Sequence, residues 1–483
     1  LIVLEIALDS YVAPILLLAN IGIAILYNMG TNIFLEEISY ITKAISAVLQ
    51  LGVTMDFAIF LYHSYQAELK NTTDRNQAMS IAISKTFTSV LGSSLTTIAG
   101  FLALCSMNLT LGKDIGIVMA KGVLFGVISV VTILPSLILM FDKAIQKTKH
   151  KELLPKFTTI SEFNIKHYKA IIVIFLIALP IALYGYNNTK VYYKLDSSLP
   201  ETLDSISANN TLKDKFGLVS QEMILINKDT PNDEINEMLD KIEELDGVDF
   251  TLSYSKLSEL GIPEEMLPED LLSIFQSDKY QMILINSKYE IATDELNNQI
   301  AKINEIVKQY DSNAKVVGEG PLMKDLVEIS DHDFNSVNTV SIGIIFVIMM
   351  FVLKSISLPV LLVIAIEFAI FINMGIPYYT NTTIPFIASI VIGTIQLGAT
   401  IDYAILITTK YKTARIEGKD KHQAIDEALG TSIQSIIVSA LCFFGATFGV
   451  GMYSKIEMIG SLCSLMARGA IISMVTVLTV LPA

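Results

Sequence analysis

The sequence predicts a polytopic α-helical membrane protein in which two similar helical halves flank an α+β domain outside the cytoplasm. Long apolar stretches, one acidic block in mid-chain and an internal repeat predict it. Of 483 residues, 52% are hydrophobic and 17% charged, with a mean hydropathy of +0.54. An ordinary soluble domain carries about 25% charged residues. Cys105, Cys442 and Cys463 lie in apolar runs without CxxC spacing, which supports neither a disulfide framework nor a zinc site.

Crossing a bilayer core of roughly 30 Å takes about 20 apolar residues of helix. Ten stretches meet that length, at 12–29, 45–65, 79–107, 115–141, 168–186, 336–353, 357–377, 385–409, 428–451 and 458–482. An eleventh, LIVLEIALDS at 1–10, is too short; with no initiator Met and no charged n-region it reads as the end of a span that begins upstream. The expected domains are a first transmembrane half at 1–141 and a Lys-rich cytoplasmic linker at 142–167. A span at 168–186, an acidic domain at 187–335 and a second half at 336–483 follow.

Charge orients these pieces. Residues 187–335 hold 30 acids and 13 bases, while the rest of the chain holds 18 acids and 21 bases. Lys and Arg in short loops mark the cytoplasmic side. Loops at 66–78, 142–169, 354 and 410–421 carry 15 bases, against three in the opposite set, Lys43, Lys113 and Lys455. The acidic block therefore belongs outside the cytoplasm, where its charge repels nucleic acid and anionic headgroups. Within it, strands at 222–226, 280–285 and 314–318 alternate with amphipathic helices at 233–245 and 294–310, and 255–275, with Pro263 and Pro268, reads as a loop with a short helix.

The repeat is direct. QLGVTMDFAIFLYHSY at 50–65 aligns with QLGATIDYAILITTKY at 396–411, with eight identities in sixteen positions. Pro14 and Asn28-Met29-Gly30 match Pro359 and Asn373-Met374-Gly375; AKG at 120–122 and Leu-Pro at 134–135 match ARG at 467–469 and Leu-Pro at 481–482. Two halves in the same topology form a parallel repeat about an axis along the membrane normal, an arrangement of secondary transporters. By that symmetry roughly 180 residues, a span and a second outside domain, would precede the first half.

GVTMDFAIFL and GATIDYAILI, SSLTTIAGF at 93–101, and the AKG and ARG helices ending in Leu-Pro resemble the resistance-nodulation-division superfamily, and within it the MMPL branch. The resemblance covers almost every span. It implies an export protein for lipids, lipophilic peptides, siderophores or drugs, driven by the proton gradient through Asp-Tyr pairs in the fourth and tenth spans. It makes 187–335 a porter domain.

The residues carry their own argument. Asp56 lies at mid-span and Asp402 somewhat nearer the cytoplasm. An acid at the bilayer centre costs about 2.5–3.5 kcal/mol on insertion scales and is expected to face the bundle interior. Burial disfavours the charged form of a carboxyl group, and such a group can take up a proton near neutral pH and release it when its surroundings change. Gly52 and Gly398, each four residues before its acid, would let the two central helices approach closely. Tyr403 would donate to Asp56 across that contact. Its counterpart Phe57 has no hydroxyl, a departure from the doubled Asp-Tyr pattern that leaves Asp402 less well supported. The alternative is that both acids merely hold helices together.

Four further residues stand as substrate or relay candidates. Lys121 and Arg468 are repeat-equivalent; Lys121 should lie roughly 15 Å outward of Asp56, too far for an ion pair. It either snorkels to the outer interface, pairs with a nearby acid or lines a substrate entrance. Glu367 is mid-span and matches Gly22. His63 follows Asp56 on the same helix face, about 10 Å closer to the cytoplasm, where it either passes protons or sits at the interface. Ser89, Ser93, Ser94, Thr96, Thr97, Ser435 and Ser439 offer hydroxyls for a water chain, or packing contacts.

The chain has no GxxxxGK[ST], HExxH, GxSxG or post-strand GxGxxG, so no enzyme chemistry and no cofactor beside the proton gradient is expected. The leading reading is a proton-driven exporter whose partners are membrane lipids and an amphiphilic substrate. A homo-oligomer or envelope proteins stand as further partners, and no nucleic acid is expected. A lipid-sensing envelope scaffold and a proton-driven protein-export helper stay open as alternatives.

Overall fold

The computed structural model describes residues 1–72, 74–150, 158–193, 199, 202–259 and 273–483. Two compact units emerge, one of Leu1–Val191 with His332–Ala483 and one of Tyr192–Asp331. The second falls inside the expected 187–335.

The helical unit begins with α1 (Ile2–Ala7), the short opening stretch. It continues through α2 (Ala13–Gly30), α3 (Tyr40–Glu68), α4 (Arg75–Ala103), α5 (Thr110–Lys147) and α6 (Thr158–Asn187). Ten helices of the described residues are long and apolar enough to cross a membrane, and each overlaps one of the ten expected spans, the one expected at 336–353 beginning already at Glu319. Pro14 sits in the first turn of α2, where its missing N–H has no intrahelical partner to lose. Asp74 caps α4 by accepting from the N–H of Asn76 at 2.9 Å. Helix α5 runs six residues past the expected 141, because Asp142 is held on it by Arg75 and Tyr65. Part of the expected linker, 151–157, lies outside the described residues.

In the unit of Tyr192–Asp331, α7 (Asp204–Phe216) precedes a sheet interleaved with helices: β1 (Ser220–Asn227), α8 (Asn232–Glu243), β2 (Val248–Leu252), α9 (Tyr254–Glu259), β3 (Tyr280–Ser287), α10 (Asp294–Tyr310) and β4 (Lys315–Gly318). The sheet order is β2-β3-β1-β4, antiparallel throughout. The three strands and two helices read from sequence are present; α7 and β2 are additions, and Pro263 and Pro268 lie outside the described residues. Ile235, Met238, Leu239 and Ile242 form one stripe of α8, at the i, i+3, i+4, i+7 spacing that a helix needs to cover a sheet. They pack with Ile303 and Val307 of α10 on Ile224, Ile226, Ile283 and Ile285. Alternation along β1 also turns Glu222 to this core-facing side, fully buried. Burial pushes its carboxyl above the ordinary glutamate range, against the opposing effect of the Ser220 hydroxyl that donates to it.

The chain returns through α11 (Glu319–Leu353), then α12 (Ser357–Tyr379), α13 (Phe386–Ile416), α14 (Lys421–Tyr453) and α15 (Glu457–Thr479). Asp420 opens α14 with a capping box to Gln423, at the repeat position of Asp74. The halves join crosswise, α3 against α14 and α13 against α4. This corrects one expectation. Gly52 faces the ring of Phe443 on α14, and Gly398 faces Thr97 and Gly100 on α4, so the glycines admit a neighbour from the other half and not each other's helix.

Candidate functional site

Helix α3 carries Asp56 and α13 carries Asp402. In both, a threonine two residues before the acid is satisfied within its own helix: Thr54 donates to the Gln50 carbonyl at 2.6 Å and Thr400 to that of Gln396 at 2.7 Å. The acids are thereby left to partners from elsewhere. Asp56 is 8% exposed, and both acids line a cavity of about 500 Å³ together with Tyr403, Ser93, Ser439 and His63. The cavity continues to Lys85, near the start of α4, and Lys410, near the end of α13. That end of the bundle is the one that carries the basic loops.

Each acid meets a serine of the opposite half. Ser439 of α14 stands beside Asp56, and Ser93 of α4 beside Asp402, with Oγ of Ser439 buried and making no hydrogen bond among the described residues. Serines and acids are related by the same repeat offset of 346 residues. Oδ1 of each acid is buried and has no hydrogen-bond partner among the described residues. The two carboxyl groups are close enough to act on each other electrostatically, and Tyr403 is within reach of both. The expected donation from Tyr403 to Asp56 is not among the hydrogen bonds of the described residues. The crosswise packing gives the reason: α3 approaches α14, and Ser439 is the hydroxyl placed beside both Asp56 and Tyr403.

The other candidates divide. His63 lines the cavity. Glu367 does not; it lies on α12 within electrostatic reach of Tyr186 on α6. Lys121 and Arg468 do not line the cavity, and neither pairs with an acid among the described residues. Lys121 donates to the Asn28 carbonyl at 3.1 Å and to Oδ1 of Asn32 at 2.6 Å. Arg468 donates through Nε to Oδ1 of Asn373 at 2.9 Å and through Nη2 to its carbonyl at 2.7 Å. Of the hydroxyls, Ser89, Ser93, Ser435 and Ser439 line the cavity, while Ser94 and Thr96 bond back along α4. Sequence reasoning missed the crossed pairing of serines with acids. Its signal was the shared offset of Ser93/Ser439 and Asp56/Asp402. No cluster of His, Cys, Asp and Glu among the described residues is placed to hold a metal ion.

The membrane protein ActII-3 of Streptomyces coelicolor is 33% identical over 152 residues, 30% of this chain and 21% of that protein. The mycolic acid-containing lipids exporter MmpL11 of Mycolicibacterium smegmatis is 23% identical over 167 residues, 34% of this chain and 17% of that protein. The membrane protein SCO5905 of Streptomyces coelicolor is 22% identical over 94% of this chain and 55% of its own length. The chain thus spans about half or less of these relatives. The model of the MMPL family matches residues 1–160 and 238–483, and the chain, a multi-pass membrane protein, belongs to that family.

Proposed function

We propose that the protein is a secondary transporter that exports lipids or other amphiphiles from the cytoplasmic membrane, driven by the proton gradient through Asp56 and Asp402. The observation that carries this reading is the meeting of two repeat-equivalent acids on one cavity that runs to one end of the bundle. Each acid keeps one oxygen unpartnered among the described residues, a place for a proton or a water. A proton entering through the membrane field moves a charge worth about 2.3 kcal/mol per 100 mV. Neutralising a buried acid also removes the cost of its charge, which is enough to tip a helix packing that has two arrangements. The name of MmpL11 supports lipids as the cargo class, and the acidic outer domain fits a neutral or cationic cargo.

The test is flux in proteoliposomes under an imposed pH gradient, with fluorescent lipid analogues and lipophilic peptides as cargo. Asp56→Asn and Asp402→Asn keep the shape of each side chain and remove its titration. Gradient-dependent flux in the wild type, lost in either variant, is the expected result. Undiminished flux in both variants overturns the relay. No gradient-dependent flux in the wild type overturns the transport reading.

A further inference from the structure

The repeat identities outside the acid motif converge in space. In the first half, Asn28 of α2 donates through Nδ2 to Oε1 of Gln50 on α3 at 2.9 Å, and Gln50 donates through Nε2 to the Gly122 carbonyl on α5 at 2.9 Å. Lys121, beside that glycine, donates back to the Asn28 carbonyl. In the second half, Asn373 of α12 donates to Gln396 of α13 at 2.8 Å, Gln396 donates to Ser473 Oγ and the Gly469 carbonyl at 2.9 and 3.4 Å, and Arg468 closes the ring on Asn373. Each ring ties the acid-bearing helix to the two helices that flank it in its own half.

The glycine of each cation-glycine pair makes the ring possible. A Cβ on Gly122 would lie 2.6 Å from Nδ2 of Asn28, and one on Gly469 would lie 2.7 Å from both Nδ2 of Asn373 and Oε1 of Gln396. The AKG and ARG motifs therefore supply a cation that grips an asparagine and a bare backbone that admits the Asn–Gln pair.

We propose that these two rings are positioning clamps that set the rotation and height of α3 and α13, and thereby keep Asp56 and Asp402 turned to their shared cavity. The inference rests on those acids being the working groups. Gln50 precedes Asp56, and Gln396 precedes Asp402, by six residues. Six residues of helix are about 9 Å along and about 240° around the axis. A hold on the glutamine face fixes where the acid-bearing face, about 120° away by the shorter way round, points. The clamps differ in grip. Arg468 takes both the side-chain and backbone oxygens of Asn373, whereas Lys121 divides itself between Asn28 and Asn32 and leaves Oδ1 of Asn28 buried without a partner among the described residues. Helix α3 is the more loosely held, and Lys121→Arg restores the missing contact.

The experiment is labelling of the intact protein in nanodiscs with dicyclohexylcarbodiimide, which reacts with protonated carboxyl groups. Asp56 and Asp402 are quantified separately by mass spectrometry across a pH series. Lys121→Met should move the labelling midpoint of Asp56, and Arg468→Met that of Asp402, each by about half a pH unit or more, with much less change at the other acid. Lys121→Arg and Arg468→Lys should label nearer to the wild type. Gln50→Asn and Gln396→Asn, one methylene short of the facing backbone, provide milder variants where methionine prevents folding. Equal movement at both acids, as general loosening produces, overturns the proposal. So do unchanged midpoints in folded variants while the wild type titrates, and these leave the acids' role standing. A wild type with pH-independent labelling at both acids overturns the clamp and the relay together.

Discussion

The hydroxyl of Thr97 donates to the backbone carbonyl of Gly398 at 2.9 Å, joining the two halves one helical turn from Asp402. At the repeat-equivalent place the side chain is larger: Phe443 lies on Gly52, one turn from Asp56. A Cβ at position 52 would stand 2.6 Å from the ring, whereas a Cβ at position 398 meets nothing closer than 3.7 Å.

Gly52→Ala should therefore destabilise the protein by about 1–3 kcal/mol through overpacking. Gly398→Ala should stay within about 1 kcal/mol of the wild type, since alanine favours helix and finds room. Thermal unfolding of the purified protein in one detergent compares them. Phe443→Leu should recover part of the Gly52→Ala loss. Equal melting temperatures for the two alanine variants would contradict the asymmetry.

At the end of the bundle that carries the basic loops, Asp142 is 1% exposed, paired with Arg75 Nε at 2.8 Å and accepting from the Tyr65 hydroxyl at 3.1 Å. The Arg75 side chain is 48% exposed. Deleting the arginine strands a buried carboxylate, while deleting the carboxylate frees an arginine that water can reach. Arg75→Ala should then cost about 3 kcal/mol or more, and Asp142→Asn, which keeps an acceptor for Tyr65, about 1 kcal/mol. Denaturant or thermal unfolding ranks the pair, and the reverse order would contradict this account.

Glu222 gives the unit of Tyr192–Asp331 a pH dependence of known sign. Its folded carboxyl is raised above the ordinary glutamate range by burial, so the folded state holds the proton to higher pH than the unfolded chain. Below the ordinary glutamate value both states are protonated and burial imposes no ionic penalty. As pH climbs from there through the raised folded value, stability is lost, and above it the loss is complete. Glu222→Gln should flatten this dependence and melt higher than the wild type at neutral pH. Hydrogen exchange of β1 and β3 in the intact protein, followed against pH, reads it directly. An unchanged pH dependence in the variant would show that the signal comes from elsewhere.

The spans were legible because apolar length is a property of single segments, and the repeat was legible because the acid motif is contiguous. Packing was not. Gly52 and Gly398 read as mutual contacts, since sequence shows that a helix face is small but not which neighbour fills it. Phe443 and Thr97 fill these faces, from helices whose order around the axis sequence does not specify. Lys121 and Arg468 were visible as a repeat-equivalent pair. Their partners, Asn28 and Asn373, were visible only as repeat matches because an asparagine in a span announces no direction. Strand β2 was missed because VDFTL at 248–252 alternates polar and apolar residues over too few positions to outweigh the acidic segment before it.

The crossed serines provide the sharpest check on the site. If Ser439 serves Asp56 and Ser93 serves Asp402, each acid depends on the half of the chain to which it does not belong. A double-mutant cycle separates that arrangement from one in which each half is self-contained. Ser439→Ala with Asp56→Asn should show a coupling of about 0.5–1.5 kcal/mol in unfolding free energy, the range of a single hydrogen bond. Ser439→Ala with Asp402→Asn should add independently, and the pattern should invert for Ser93. Ser439→Thr, which keeps the hydroxyl, should lie closer to the wild type than Ser439→Ala in the pH profile of flux. Because the serines are one repeat offset apart, any non-specific effect of removing a hydroxyl from α4 or α14 appears in both and cancels in the comparison. Coupling concentrated within a half, Ser439 with Asp402 or Ser93 with Asp56, would mean that the halves work as separate units and that the shared cavity is not where they communicate.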